Sequence, residues 1–285
     1  MRNMRGLALS AVILAAGTAA NSLFAAPQIV NYQGAVSSDW SYTKGATSAR
    51  LDPQQDSDTK PDATPLVGDW AWYGEAYAGA PVGIALPFSS TALGTATLDA
   101  TLDESGFYVS GMADAYVQYD PADADVLDTI GAGARSTFSF NVQVPADGPD
   151  YSLALGGTTD VMSGYGFVQI RLTEFGAPNV IRNFLKYDKS NAAYPGVTGD
   201  YTTFDFDPRV STQVLKHGKT YEFYVNAQMD PGHATTDASD YWGVSDTIRY
   251  DLTGTFTAVP EPTAAFGIIG AGLVALRRRR EKTTR

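Results

Sequence analysis

The sequence has no cysteine and only two histidines in 285 residues. Without thiols there is no disulfide, no thiolate nucleophile, no iron–sulfur cluster and no Cys-based zinc site. Two histidines leave little material for a histidine metal cage or for several proton relays. Positive charge is also scarce: 20 Lys and Arg stand against 31 Asp and Glu, a formal net charge of −11. Such an excess of acid repels a phosphate backbone and argues against nucleic-acid binding. The Gly-x-Ser-x-Gly elbow, the Walker loop, His-Glu-x-x-His and the dinucleotide fingerprint are all missing. Between the two ends, no stretch keeps apolar residues at three-and-four spacing over several turns, which excludes a helical domain.

What is present is clearest at the ends. Met1-Arg2-Asn3-Met4-Arg5 is short and basic, Gly6 to Ala20 is small and apolar, and Leu23-Phe24-Ala25-Ala26 offers small residues before Pro27. That order predicts a secretory signal peptide over residues 1–26, cut between Ala20 and Ala26 by signal peptidase. An N-terminal anchor helix fits less well, because the apolar run is short for a bilayer. At the other end, Val259-Pro260-Glu261-Pro262 is followed by the uncharged run Ala264 to Leu276 and then by Arg277-Arg278-Arg279-Arg280. Two prolines forbid helix or ladder continuation, so the folded domain is expected to end near Ala258. The apolar run is a short span, and the arginines hold its far end in the cytoplasm.

The order Pro-Glu-Pro, short span, basic cluster resembles the PEP-CTERM sorting signal of exported bacterial proteins. Val259, Pro260, Glu261 and Pro262 match the motif, and the arginine cluster matches the cytoplasmic retention element. The resemblance implies recognition by an exosortase, passage through the inner membrane, and delivery to the cell surface or matrix of an exopolysaccharide-producing bacterium. A plain C-terminal anchor is the alternative with the same topology and no cleavage. Eight of the basic and two of the acidic residues lie in the end segments. The middle, residues 27–258, therefore keeps 12 basic and 29 acidic residues, a net charge of −17. That composition predicts a soluble exported domain repelled by anionic lipid.

The dominant period of the middle is two. Phe138, Phe140, Val142 and Val144 alternate with polar residues, as do Tyr221, Phe223, Val225 and Ala227, and Ile248, Tyr250, Leu252, Gly254 and Phe256. Weaker alternation marks Ala96 to Leu102, Phe107 to Val117, Tyr151 to Leu155 and Val168 to Leu172. Pro145-Ala146-Asp147-Gly148-Pro149 and Lys216-His217-Gly218-Lys219 read as turns between strands. The expectation is an all-β single domain, an antiparallel β-sandwich of jelly-roll type. Arg135 to Glu174 resembles the β-rich ectodomains of PEP-CTERM proteins and brings no functional residues with it. Ser37 to Leu66, rich in Ser, Asp, Gln, Thr and Pro, reads as an exposed loop.

Candidate chemistry is thin. If Trp70-Ala71-Trp72 is a strand, Trp70 and Trp72 share one face and could stack on sugar rings, although buried tryptophans are the commoner outcome in a sandwich. Asp120, Asp123, Asp125 and Asp128, and the segment Asp52 to Asp58, offer carboxylates for Ca²⁺, but the spacing is not that of an EF-hand loop and a solvated turn is the simpler reading. Nothing singles out Glu75, Glu104, Glu174 or Glu222 as a glycosidase pair, and His217 and His233 sit in Gly-containing turns. The sequence thus points to an exported, non-catalytic surface or matrix protein without a cofactor. A carbohydrate-binding module acting on exopolysaccharide is the alternative, and a secreted glycan-active enzyme comes third.

Overall fold

A computed structural model describes residues 26–43, 50–62, 65–79, 91–119, 129–162, 166–176, 180–188, 201–229, 232–234 and 242–259. These form strands β1 (Gln28–Thr43), β2 (Arg50–Asp62), β3 (Trp70–Gly79), β4 (Thr91–Asp103), β5 (Gly106–Tyr119), β6 (Thr129–Gln143) and β7 (Tyr151–Met162). They continue with β8 (Gly166–Glu174), β9 (Val180–Asp188), β10 (Tyr201–Phe206), β11 (Thr212–Leu215), β12 (Thr220–Met229), β13 (Gly232–Ala234) and β14 (Trp242–Ala258). The described chain is all-β and antiparallel. One sheet, A, has the order β2-β1-β6-β12-β8-β9 with β13 on β6; the other, B, has β10-β7-β14-β5-β4-β3 with β11 on β7.

The strand order is that of a jelly roll. Number β5 to β9 as one to five, the β10/β11 edge as six, β12 as seven and β14 as eight. Sheet B then reads 1-8-3-6 and sheet A reads 2-7-4-5, the double Greek key of the double-sheet jelly roll. β1 and β2 extend sheet A beside β6, and β3 and β4 extend sheet B beside β5.

Alternation puts every second residue of each strand between the sheets. At one end the gap is filled by rings: Phe107 lies 4.7 Å from Phe223 and 5.2 Å from Phe140, centroid to centroid, and Phe138 lies 5.5 Å from Phe140. At the other end Ala96, Ala113, Ala115 and Ala227 are fully buried. There a Cβ added to Gly94 would meet the Gly133 carbonyl oxygen at 2.1 Å. The backbones of β4 and β6 touch because Gly94 has no Cβ, whereas a Cβ on Gly133 would meet the Asp39 carboxylate on the outer side, so the sheets are close-set here beside the fully buried Trp40. Midway, the Ser136 hydroxyl donates to the Thr97 carbonyl at 2.8 Å, so the buried Tyr250 hydroxyl donates to Ser136, also at 2.8 Å. Burial pushes the Tyr250 phenol well above its ordinary pKa.

The loop expected over Ser37 to Leu66 is corrected. Ser37–Thr43 continues β1, and Arg50–Asp62 is the edge strand β2, paired with β1 from Tyr32↔Asp62 to Thr43↔Arg50. Polar residues and Pro53 and Pro61 suit a strand paired on one side only. A bulge also hides the β1 period: Asn31 has φ 52°, and the β1–β6 register shifts between Val30 and Gln33. The buried set therefore moves from Ile29 to Tyr32, Val36 and Trp40.

The ring-filled end should dominate stability. Phe138→Ala is expected to cost about 3–5 kcal/mol. Tyr73→Ala, on the exposed side of β3, should change stability by less than about 0.5 kcal/mol. Urea unfolding of the two variants checks the contrast.

Candidate functional site

The feature with a known address is the end of β14. Thr255↔Gly106 is the last pair with β5, while β7 continues to pair through Ala258↔Tyr151. One residue later the Val259 amide donates to the Asp150 carbonyl at 2.8 Å. Pro260 follows directly, so no spacer separates the last core strand from the Pro-Glu-Pro residues.

Asp150 is itself clamped. It lies after the Pro145–Pro149 turn, and that turn docks on Lys216–Lys219: the Val144 amide donates to the Lys219 carbonyl at 2.9 Å, and the Gly218 amide to the Val144 carbonyl at 3.0 Å. Gly218 adopts φ 71°, a left-handed turn that glycine makes without strain. The Asp150 carboxylate accepts from Lys216 Nζ at 2.7 Å and from the His217 amide at 3.0 Å, with His217 Nδ1 at 2.9 Å. The Lys216 ammonium first, and the His217 amide second, hold its pKa down at about 2. Beside it Lys219 Nζ pairs with Glu174 at 2.8 Å. The two turns read from the sequence thus form one corner, and the tail leaves from it.

The other candidate residues are dispersed. Trp70 and Trp72 do share a face of β3, and that face is the inner one. Trp70 stacks on Phe138 at 6.2 Å with Tyr32 edge-on at 5.3 Å. Trp72 is partly buried against the core and fills the space over Gly34 and Gly74, where added Cβ atoms would come within 1.9 and 2.4 Å of its ring. The pair packs the sandwich, and the aromatics β3 turns to solvent are Tyr73 and Tyr77. Glu174 is held by Lys219, Glu222 faces Arg171 at 3.7 Å, and Glu75 accepts from Tyr73 at 3.2 Å. Glu104 lies in the exposed turn between β4 and β5. Among the described residues no group of three His, Asp or Glu could hold a metal ion. The Asp120 to Asp128 segment, Pro260 to Pro262 and Arg277 to Arg280 lie outside the described residues; Asp52 to Asp58 and His233 are described as backbone only. No helix among the described residues is long and apolar enough to cross a membrane.

Charge is divided between the outer faces. Sheet B turns out Glu75, Asp99, Asp114, Asp160, Asp205 and Asp251, with Arg249 the basic residue among them. Hydroxyls cover several of these carboxylates: Tyr108 on Asp251 at 3.1 Å, Thr203 on Asp160 at 2.7 Å, and Thr247 on Asp114 at 2.7 Å. Sheet A turns out Arg135, Arg171 and Lys186 against Asp39, Glu222 and Asp188. Arg171 lies 4.7 Å over the Tyr224 ring. Arg135 and Tyr224 were not singled out by sequence reasoning; the signal available was an arginine at an outward position of an otherwise apolar–hydroxyl alternation.

Comparison with known proteins bears on the tail. Residues 258–280 match the family model of the PEP-CTERM protein-sorting motif. The chain carries that motif, which supports an exported protein sorted through an exosortase and held at the membrane before processing. No curated protein matches the chain. Among solved structures, infectious bursal disease virus, Gt strain, aligns at 12% identity, covering 90% of this chain and 73% of that one, with a TM-score of 0.17. The VP2 subviral particle of the same virus aligns at 13% identity over 90% and 74%, also with a TM-score of 0.17. The fold assignment rests on the strand order alone.

Two expectations follow. The Asp150 carboxyl is depressed in the fold, so its stabilisation is present above about pH 4 and is lost as the pH falls toward about 2. Asp150→Asn should flatten that acid limb, as chemical unfolding at a series of pH values would reveal. Trp70→Ala should cost about 3–5 kcal/mol through the cavity it leaves, measured by the same unfolding assay; a neutral result would remove Trp70 from the core.

Proposed function

We propose that the mature protein is a non-catalytic β-sandwich of the cell surface or extracellular matrix. In this reading residues 1–26 are its signal peptide, 27–258 its functional body and 259–285 its sorting tail. The observation that carries the reading is the junction: the sorting motif starts on the last residues of β14, so the jelly roll is the cargo and nothing lies between cargo and label. The candidate carboxylates favour a binding or structural role, because Glu75, Glu174 and Glu222 each face a separate partner on the outside of the sandwich. A sheet face clad in acids and hydroxyls suits a protein that stays soluble among anionic surfaces.

On this view signal peptidase and exosortase are transient partners, the inner membrane holds the tail during sorting, and exopolysaccharide is the surrounding medium. Expression in an exopolysaccharide-producing host with and without its exosortase tests it. With the enzyme, mass spectrometry should find extracellular protein that begins between residues 21 and 27 and lacks Arg277–Arg280. Without it, or with Pro260→Ala and Pro262→Ala together, a larger form should stay in the membrane fraction. A cytosolic product with both ends intact would overturn the proposal.

A further inference from the structure

Sorting accounts for the end of β14 and leaves the outer face of sheet A without a task. Between β1 and β6 this face carries a groove of about 390 Å³ lined by Gln33, Ser37, Arg135, Thr137, Ser139 and Tyr224. Register explains its shape. Gln33 stands opposite Ser139, Ala35 opposite Thr137 and Ser37 opposite Arg135, so the small Ala35 side chain leaves a low floor between longer neighbours. Tyr224, opposite Ser139 on β12, forms one wall, and the Arg171 guanidinium over its ring supports that wall from behind.

Arg135 is the charged group of this groove, and its side chain is held by neutral partners. Its Nε donates to Asn226 Oδ1 at 3.0 Å and its Nη2 to the Tyr224 hydroxyl at 3.1 Å, both neutral acceptors. Arg171, Lys216 and Lys219 each face a carboxylate instead, and Arg182 is spent on the Val210 and Thr212 carbonyls. Arg135 is exposed, held by two bonds, and keeps three of its five N–H donors for a ligand. A guanidinium fixed in advance loses little further entropy on binding an anion.

We propose that this groove binds an acidic sugar residue of the hexuronate class, with its carboxylate on Arg135 and its hydroxyls on Gln33, Ser37 and Ser139. Three chemical points select that class. The carboxylate matches the planar fork of Arg135. The remaining lining groups are hydroxyls and an amide, which both donate and accept and so match a polyol, whereas a phosphate offers acceptors only. The net charge of the domain would repel an anion, but the larger set of outward acids is on sheet B, on the far side of the sandwich, while Asp39 on β1 is the acid of this face next to Ser37. At physiological salt that field is screened over about 8 Å. The site is distinct from Trp70 and Trp72, which face the core.

The test is calorimetric titration of the purified full chain in detergent at 150 mM salt, with galacturonate hexamer, maltohexaose and inorganic phosphate as probes. Galacturonate hexamer should bind saturably, maltohexaose at least tenfold more weakly, and phosphate should not displace the hexamer. Arg135→Gln should weaken the hexamer at least tenfold, Arg135→Lys should restore part of the loss, and Arg249→Gln on sheet B should change nothing. Ala35→Trp, which fills the floor while leaving Arg135 in place, should abolish binding; circular dichroism checks that each variant is folded. No binding of the hexamer, equal binding of maltohexaose, displacement by phosphate, or an unaltered Arg135→Gln would overturn the proposal. The readout needs no exosortase, so it stands or falls separately from the sorting reading.

Discussion

β14 is the constraint on which the rest depends. It is the central strand of sheet B, paired with β5 on one side and β7 on the other, and its inner face contributes Ile248, Tyr250, Leu252 and Phe256 to the core. The same backbone runs on into the sorting segment, with a single hydrogen bond from Val259 to Asp150 marking the change. β14 is held by both ladders up to Thr255 and by the β7 ladder from there to Ala258, so the core pairing runs to within one residue of Val259. The clamp on Asp150 extends this fixation by one residue, drawing on the two turns at 145–149 and 216–219.

The second organising element is the unequal treatment of the two outer faces. Both are hydrogen-bonded sheet surfaces of similar geometry, yet one gathers carboxylates and the other gathers arginine, amides and a supported tyrosine. Cross-strand hydroxyls on sheet B lower the cost of crowding like charges, since Tyr108, Thr203 and Thr247 each donate to an acid on the adjacent strand. Sheet A spends its hydrogen bonds differently: Arg135, Tyr224 and Asn226 fix one another. The net charge of the chain, read as one number, hides this division.

Much of the fold was legible from residue order. The alternations at Phe138–Val144, Tyr221–Ala227 and Ile248–Phe256 became β6, β12 and β14, three strands that carry half of the buried aromatic residues described. They were readable because both neighbours of each strand supply the same demand, apolar inside and polar outside. β1 escaped because the Asn31 bulge shifts its period by one residue, and β9 because its register with β8 slips twice, near Arg171 and near Thr173. β2 escaped because an edge strand has no need of an apolar pattern. The sorting motif was legible because its information is local: four residues, a short apolar run and four arginines in order. The corner that presents it was not, since it depends on Asp150 meeting Lys216 and His217 across 66 and 67 residues.

In the proposed sorting reading, with the span beginning at Ala264, these elements meet at the membrane. From Val259 to Ala264 is five residues, a reach of less than about 18 Å even when fully extended. While the tail is held for sorting, the Asp150 corner is therefore the part of the fold nearest the bilayer. The strands lead away from it, since β6, β8, β12 and β14 all have one end at this corner. In that arrangement neither outer face is forced against lipid, because faces lie to the sides of strands and the tether leaves from a strand end. In the proposed reading, a jelly roll whose label follows a core strand keeps both faces open to the surroundings during sorting. A tether leaving from a face would have covered one of them.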